Sequence, residues 1–315
     1  MSASSVVKMH SVNRFLGIFL AALAVDAHAG DAMAWFERMR TAVHSEDYEG
    51  RFVYQVGPQL RSMYVVHRIS GDAELERLVS LNGEHKQVIR GGGAVACLEP
   101  GKHRASVLEG MGSMPGAEPS SAEIQRFYDF SLHAEQQVAG RPGRLLKLVP
   151  RDDLRFGYEI IVDAQTGLPL HTVMRNPSGQ QQSQMLFVDL KTGPDIPPIE
   201  HDISALQMTR EDRITVAAGV SDPRTSGWRF ESLPGGFELR SYRAGERRQH
   251  FIFSDGLATL SMYVEELAPQ GGFTGASRMG ATQAYGDVRH GHQVTAVGEV
   301  PDKTLRMMVN TITPR

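Results

Sequence analysis

Hydrophobic positions follow two periods along this chain, and the change from one to the other falls at Gly50. Before it, Ala32, Phe36, Met39 and Val43 recur at i, i+4, i+7 and i+11, one face of a helix that Asp31 can cap. After it, from Arg51 to Leu98, apolar and polar residues alternate. Phe52, Tyr54 and Val56 open the alternation; Met63 to Ile69, Leu75 to Leu81 and Val88 to Leu98 continue it. Gly57-Pro58, Gly71-Asp72, Asn82-Gly83 and Gly91-Gly92-Gly93 punctuate these runs. Such a pattern predicts antiparallel strands with one apolar face, and Asn-Gly is a strong hairpin signal.

A loop rich in Gly, Met and Pro follows over 110–119. Ser120-Ser121-Ala122-Glu123 then has capping-box spacing and predicts a short second helix ahead of Ile124, Phe127 and Tyr128. Strands are predicted again at Leu145 to Val149, Tyr158 to Val162, Pro169 to Met174 and Met185 to Leu190, with a turn at Asp163-Ala164-Gln165-Thr166-Gly167. Gly193-Pro194-Asp195-Ile196-Pro197-Pro198 stops the regular pattern, because proline cannot donate to a sheet ladder. The connection between two domains is placed there, with only a short apolar run near Ile214 to Val216 before Pro223.

The last hundred residues carry a complete pattern of their own. Strands are predicted at Phe237 to Tyr242, His250 to Phe253 and Leu257 to Val264, the last two joined through Ser254-Asp255-Gly256. Ala281 to Tyr285 and Gln293 to Val300 follow, separated by Gly286-Asp287. A final helix starts at Pro301-Asp302 and places Leu305, Met308, Val309 and Ile312 on one face. This is a small α+β domain with a helix covering one sheet face.

The N-terminus bears on location. Lys8 and Arg14 precede an apolar run from Phe15 to Val25 that ends in Ala27-His28-Ala29, the layout of a signal peptide cleaved after Ala29. The run is too short to span a bilayer, which takes about 20 residues. Export follows, with a cleaved signal peptide favoured over a retained anchor. The chain of 315 residues is 41% hydrophobic and 22% charged, with a net charge of −3, which gives no sign of a nucleic-acid partner. A lone cysteine, Cys97, forms no internal disulfide, and its apolar neighbours suit a buried small hydrophobe better than a reactive thiol.

Local motifs for chemistry are scarce. There is no Gly-x-Ser-x-Gly elbow, no His-Glu-x-x-His and no phosphate-binding Gly-x-x-x-x-Gly-Lys-Ser/Thr loop. His290 and His292 have spacing for a shared metal on one strand face, but their setting reads better as a solvated turn. The neighbours Asp152-Asp153 and Glu265-Glu266 point to opposite faces if extended, so they are poor acid/base pairs. Arg240, Arg243, Arg247 and Arg248 cluster around Glu246, either as a surface for acidic groups or as an ordinary turn. No cofactor, metal or catalytic residue is expected, and the chain reads as a binding protein rather than an enzyme, with a hydrolase whose Ser/His/Asp site is dispersed in sequence as the minor alternative.

Tyr48-Glu49-Gly50-Arg51-Phe52-Val53-Tyr54, followed by His67-Arg68-Ile69-Ser70-Gly71-Asp72-Ala73-Glu74-Leu75-Glu76-Arg77-Leu78, resembles the MucB/RseB family of sigma-factor regulators. So do Leu81-Asn82-Gly83, Val95-Ala96-Cys97-Leu98-Glu99-Pro100, Gly227-Trp228, Leu233-Pro234-Gly235-Gly236-Phe237, Phe253-Ser254-Asp255-Gly256-Leu257-Ala258 and Val297-Gly298-Glu299-Val300-Pro301. The resemblance implies an α+β protein. Its N-terminal domain is a LolA/LolB-like curved antiparallel sheet, a half-barrel with covering helices and an apolar concavity, and a smaller C-terminal α+β domain follows. The expected boundaries are a signal peptide over 1–29, a lipid-sensing domain over 30–198, a linker over 199–223 and a partner-binding domain over 224–315.

The implied function is negative regulation of an extracytoplasmic-function sigma factor in envelope stress. The family binds the periplasmic region of an RseA- or MucA-like transmembrane anti-sigma factor and shields it from the first protease until lipid or lipopolysaccharide displaces it. The alternative is a periplasmic lipid or lipoprotein carrier of the LolA/LolB type, which needs no second domain. Phe52, Tyr54, Val65, Leu78 and Val88 are the expected lipid-facing residues. Trp228, Phe237, Arg243, Phe251 and Phe253 are the expected partner contacts, since aromatic and Arg side chains are the commonest interface anchors. A homo-oligomer stays open.

Overall fold

The structure is a computed structural model that describes residues 25–71, 73–84, 86–91, 94–99, 104–109, 120–199, 221–269 and 271–315. Helix α1 (Val25–Ser45) leads into β1 (Tyr48–Val56), β2 (Gln59–Ser70), β3 (Ala73–Ser80), β4 (Gln87–Gly91), β5 (Ala94–Glu99) and β6 (Arg104–Glu109). After α2 (Ser121–Ile124) come β7 (Tyr128–Val138), β8 (Arg141–Pro150), β9 (Gly157–Asp163), β10 (Pro169–Arg175) and β11 (Gln181–Thr192). All eleven strands form one antiparallel sheet, in the order β6-β5-β4-β3-β2-β1-β11-β10-β9-β8-β7. Two meanders thus run outward from a central β1–β11 pair.

The sheet curls around α1. Ala32 and Phe36 pack with Phe130, Leu146 and Leu148 from one end of the sheet, while Ala42 packs with Val65, Leu168 and Phe187 nearer the other. Helix α1 thus crosses the sheet from its β7–β8 end to its middle strands. The predicted helix face is therefore present: Ala32 and Phe36 are buried, Met39 and Val43 half-buried. The helix begins at Val25, so cleavage after Ala29 would remove its first turn; residues 1–24 of the expected signal peptide lie outside the described residues. Among the described residues, no helix is long and apolar enough to cross a membrane.

The capping box forms as its spacing predicts. The Ser120 hydroxyl accepts from the Glu123 amide, and the Glu123 carboxylate accepts from the Ser120 amide at 2.8 Å. The helix stops at Ile124, however, and Tyr128 already begins β7. Strands β6 and β7 were not expected, although Tyr128, Phe130 and Leu132 alternate with Asp129 and Ser131 in the first half of β7. Beyond Leu132, β7 is exposed on both faces, and its register slips before Glu135.

The second unit starts with a 3₁₀ turn at Pro223–Thr225 and contains β12 (Trp228–Phe230), β13 (Glu238–Ala244), β14 (Arg248–Ser254) and β15 (Thr259–Glu266). It continues with β16 (Gly275–Met279), β17 (Thr282–Arg289), β18 (His292–Gly298), α3 (Asp302–Thr311) and β19 (Ile312–Pro314). Six strands form an antiparallel sheet ordered β13-β14-β15-β18-β17-β16, and β12 pairs with β19. Leu305, Met308 and Val309 of α3 pack on Phe251, Phe253, Leu260 and Met262. The break expected at Gly286-Asp287 is not there. Strand β17 runs through it, and the turn is His290-Gly291, both at positive φ. Gly286 marks close packing instead, since a Cβ there would lie 2.3 Å from the Phe273 ring. The expected linker falls largely on 200–220, outside the described residues.

Candidate functional site

The concave face of the large sheet carries an apolar hollow beside the C-terminal half of α1. Register explains which side chains meet there. Phe52 on β1 pairs with Phe187 on β11, Gly50 pairs with Val65 on β2, and Val65 pairs with Leu78 on β3. Directly paired residues share a face. Phe52, Phe187, Val65 and Leu78, with Tyr48, Glu76, Leu168, Pro169 and Met185, line a cavity of about 210 Å³. Gly50 is required for this arrangement. A Cβ at that position would lie 2.6 Å from the Asp189 carbonyl and 2.9 Å from the Phe187 ring.

Three of the five expected lipid-facing residues, Phe52, Val65 and Leu78, line this hollow. Tyr54 and Val88 share its face by register, Tyr54 opposite Met185 and Val88 opposite Leu78, without lining the hollow itself. Burial raises the Tyr54 hydroxyl above the ordinary phenol range, and Glu299 of the second domain adds to that. Sequence reasoning missed Met185 and Phe187 as liners. They alternate correctly on β11, but only the β1–β11 pairing brings them to Phe52. Cys97 is half-buried and lies opposite Val88 on the same face.

One end of the hollow is polar. Tyr48 stacks on His67 with ring centroids 4.9 Å apart. His67 is 1% exposed; its Nδ1 lies 2.8 Å from the Glu46 carbonyl and its Nε2 3.1 Å from Glu74 Oε1. His44, on the last turn of α1, also reaches Glu74, at 3.2 Å. Glu76 lines the hollow and pairs with Arg90 at 3.7 Å. Burial pushes the Tyr48 hydroxyl far up, and Glu76 and Glu74 add to that. Burial would raise Glu74 too, but hydrogen bonds from His67 and His44 outweigh it and hold the carboxyl below its usual range.

A second cluster joins the two domains. Arg155, in the loop between β8 and β9, is fully buried. It donates to Asp152 Oδ1 at 3.0 Å, to Asp255 Oδ2 at 2.6 Å and to the Gly235 carbonyl. Its guanidinium lies 4.7 Å from the Phe127 ring centre and 5.4 Å from that of Phe237. Asp255 belongs to the predicted Ser254-Asp255-Gly256 turn, where its Oδ1 accepts from the amides of Leu257 and Ala258. Lys303 pairs with Asp153 at 2.7 Å, and the Thr304 hydroxyl donates to the Leu154 carbonyl at 2.5 Å. Nothing in the sequence marks Arg155 as different from its neighbours.

Four of the expected partner contacts lie in the second core. Trp228, Phe237, Phe251 and Phe253 are all at most 6% exposed, so their rings are spent on packing in this conformation. Arg243 is half-buried at the end of β13. With Arg248 it holds His250 well down, to about 4, although burial is the larger cause. His290 and His292 pack against the Trp228 ring, at 6.4 and 5.0 Å, rather than converging as ligands. Among the described residues, no three His, Cys, Asp or Glu side chains gather as a metal site. The acidic neighbours are ion-paired apart: Asp152 with Arg155, Asp153 with Lys303, Glu265 with Arg248, Glu266 with Arg247.

Comparison with known proteins covers both units. The family model of the MucB/RseB N-terminal domain matches residues 31–206, and that of the MucB/RseB C-terminal domain matches 222–313. The sigma factor AlgU regulatory protein MucB of Pseudomonas aeruginosa is 32% identical over 306 residues, 93% of this chain and 94% of that protein. The sigma-E factor regulatory protein RseB of Haemophilus influenzae is 24% identical over 307 residues, 94% of this chain and 95% of that one. Among solved structures, the P. aeruginosa MucA/MucB complex aligns with a TM-score of 0.68 at 30% identity, covering 90% of this chain and 99% of the other. MucB in complex with MucA(peri) aligns at 0.67 and 30% identity, covering 90% and 99%.

Proposed function

The chain belongs to the MucB/RseB family, and from that premise we propose that it is a periplasmic negative regulator of an extracytoplasmic-function sigma factor. It binds the periplasmic region of a transmembrane anti-sigma factor, shields that region from the first protease, and lets go when a lipid or lipopolysaccharide signal occupies the apolar hollow. The supporting observation is the likeness, over both domains, to a MucB solved in complex with MucA(peri). The work is done by binding, without catalysis.

The hollow supplies the physical basis for release. A ligand displaces a partner only through different affinity for the free and bound forms. Each methylene buried against the wall formed by Phe52, Val65 and Leu78, with Tyr54 and Val88 on the same face, contributes about 0.8 kcal/mol. The partner surface is assigned to the C-terminal domain, where Arg243 is the reachable member of the expected set. Trp228, Phe237, Phe251 and Phe253 hold that surface from beneath. A carrier would need only the hollow; the second domain, tied to the first through buried Arg155, favours the regulator.

The test is a pull-down of the mature protein on the immobilised periplasmic segment of the anti-sigma factor encoded in the same genome, with and without lipopolysaccharide. Retention that lipopolysaccharide reverses is the expected result. Folded protein that never associates with that segment overturns the reading.

A further inference from the structure

We propose that the polar end of the hollow selects the ligand's headgroup, with Glu76 as the selecting residue. It takes an acyl chain whose head is uncharged and donates a hydrogen bond, such as an amide, and it rejects a chain that ends in a carboxylate. The inference rests on the reading of the hollow as an acyl site and names the chemistry of its ligand.

Cross-strand register lays the floor of the hollow out in rows. One row runs Gly50, Val65, Leu78 and Val88 across β1 to β4. The next row on the same face, two residues along each strand, runs Tyr48, His67, Glu76 and Arg90. The first row is apolar throughout, and every member of the second is polar. Of that second row only Tyr48 and Glu76 line the cavity, and the rest of the lining is apolar. His67 is 1% exposed, and its two ring nitrogens are engaged by the Glu46 carbonyl and by Glu74. A chain lying along the apolar row therefore meets a hydroxyl and a carboxylate where the apolar wall ends.

The hydrogen-bonding capacity of these two groups decides what they accept. Glu76, the anionic partner of Arg90, only accepts, whereas the Tyr48 hydroxyl both donates and accepts. Neither is taken up by the other. Glu76 acts on the Tyr48 hydroxyl through its charge, and Arg90 stands 3.7 Å from Glu76, beyond hydrogen-bond reach. An amide head satisfies both groups at once, its N–H donating to Glu76 and its carbonyl accepting from Tyr48. A carboxylate head has no hydrogen to give. It also sets a second negative charge beside Glu76 against an apolar wall, where repulsion is stronger than in water. Glu74, two residues earlier on the same face of β3, adds to the negative field that Tyr48 experiences. Arg90 is half-exposed and does not line the cavity, so it gives an anionic head no counter-charge there.

Three ligands with one chain and different heads test the selection: N-methyloctanamide, methyl octanoate and octanoate. Each is titrated against N-phenyl-1-naphthylamine bound to the mature protein at about pH 8, where octanoate is ionised. A purely apolar site prefers the ester, whose head is the easier to strip of water. The wild type is instead expected to bind the amide about threefold or more tighter than the ester, the effect of one added hydrogen bond. Octanoate should bind about tenfold or more weaker than the ester. Glu76→Gln keeps the size and an acceptor oxygen without the charge. It should bring octanoate within about threefold of the ester and leave the amide preferred. Glu76→Met removes charge and acceptor together and should lose both preferences.

A wild type that takes octanoate as well as the ester, or the ester as well as the amide, overturns the selection, and this series decides even where a variant fails to fold. A folded Glu76→Gln that still rejects octanoate overturns it as well, as does a folded Glu76→Met that keeps both preferences. If the fluorophore does not bind, or none of the three displaces it, the acyl-site reading falls and the selection falls with it.

Discussion

Single residues on the concave face do more than fill space. Gly50 leaves room for the Phe187 ring, and Gly50→Ala is expected to cost about 1–3 kcal/mol by overpacking, read as a lower melting temperature. Leu78→Asp puts a charge in the hollow of a half-buried strand; the protein should fold yet lose apolar-probe binding and lipid-triggered release. A folded variant with unchanged release would detach the hollow from the signal. His250 is held near 4 chiefly by burial. Its folded value lies below the unfolded one, so the stability it brings is complete above about pH 6.5 and is lost as pH falls toward 4. His250→Asn should therefore lose less melting temperature than the wild type between those values. At this scale the sequence was readable where a residue's role is local, as with Phe52 or the Ser120–Glu123 box. Arg155, Phe187 and Glu76 act through strands or loops distant in the chain, and nothing near them in sequence says so.

Elements repeat that division. The face of α1 could be read because a helix on a curved sheet buries one stripe, and Ala32 and Phe36 fall on it. Ala42, the buried residue that meets Val65, lies one position from the expected Val43, which packs half-buried on the same cluster; three turns of about 3.6 residues from Ala32 fall between the two. Strands buried on one face, such as β9 and β10, keep period two and were legible; the outer half of β7 faces solvent on both sides and has no period to read. Strand β12 was equally silent, since its three residues pair only with β19 at the opposite end of the second domain. Phe36 is the anchor of α1, fully buried and edge-on to Phe130 at 5.1 Å. Phe36→Ala should cost about 3–5 kcal/mol in chemical unfolding, and a loss much below that would mean α1 is not the structural cover its packing indicates.

At the scale of the whole molecule, the two domains are coupled through a charge that has no water to fall back on. Arg155 and Asp255 are both at most 3% exposed, and Arg155 also satisfies Asp152 and the Gly235 carbonyl while its guanidinium lies between Phe127 and Phe237. Gly236 fits only because it lacks a side chain, as a Cβ would sit 2.6 Å from the Phe127 ring. Removing the arginine alone strands Asp255 in the seam, so Arg155→Met should cost about 3–5 kcal/mol. Replacing both charges, as in Arg155→Met with Asp255→Leu, removes the desolvation penalty along with the attraction and should recover much of that loss. The amide contacts of Leu257 and Ala258 with Asp255 are lost in the double variant, which limits the recovery. The coupling itself is visible in solution scattering: the single variant should sample a broader range of domain separations and bind the anti-sigma segment more weakly. If the single variant keeps wild-type stability and scattering, the seam does not hold the domains in register. A partner that bridges them would then have to impose that register itself, at a cost in its own affinity.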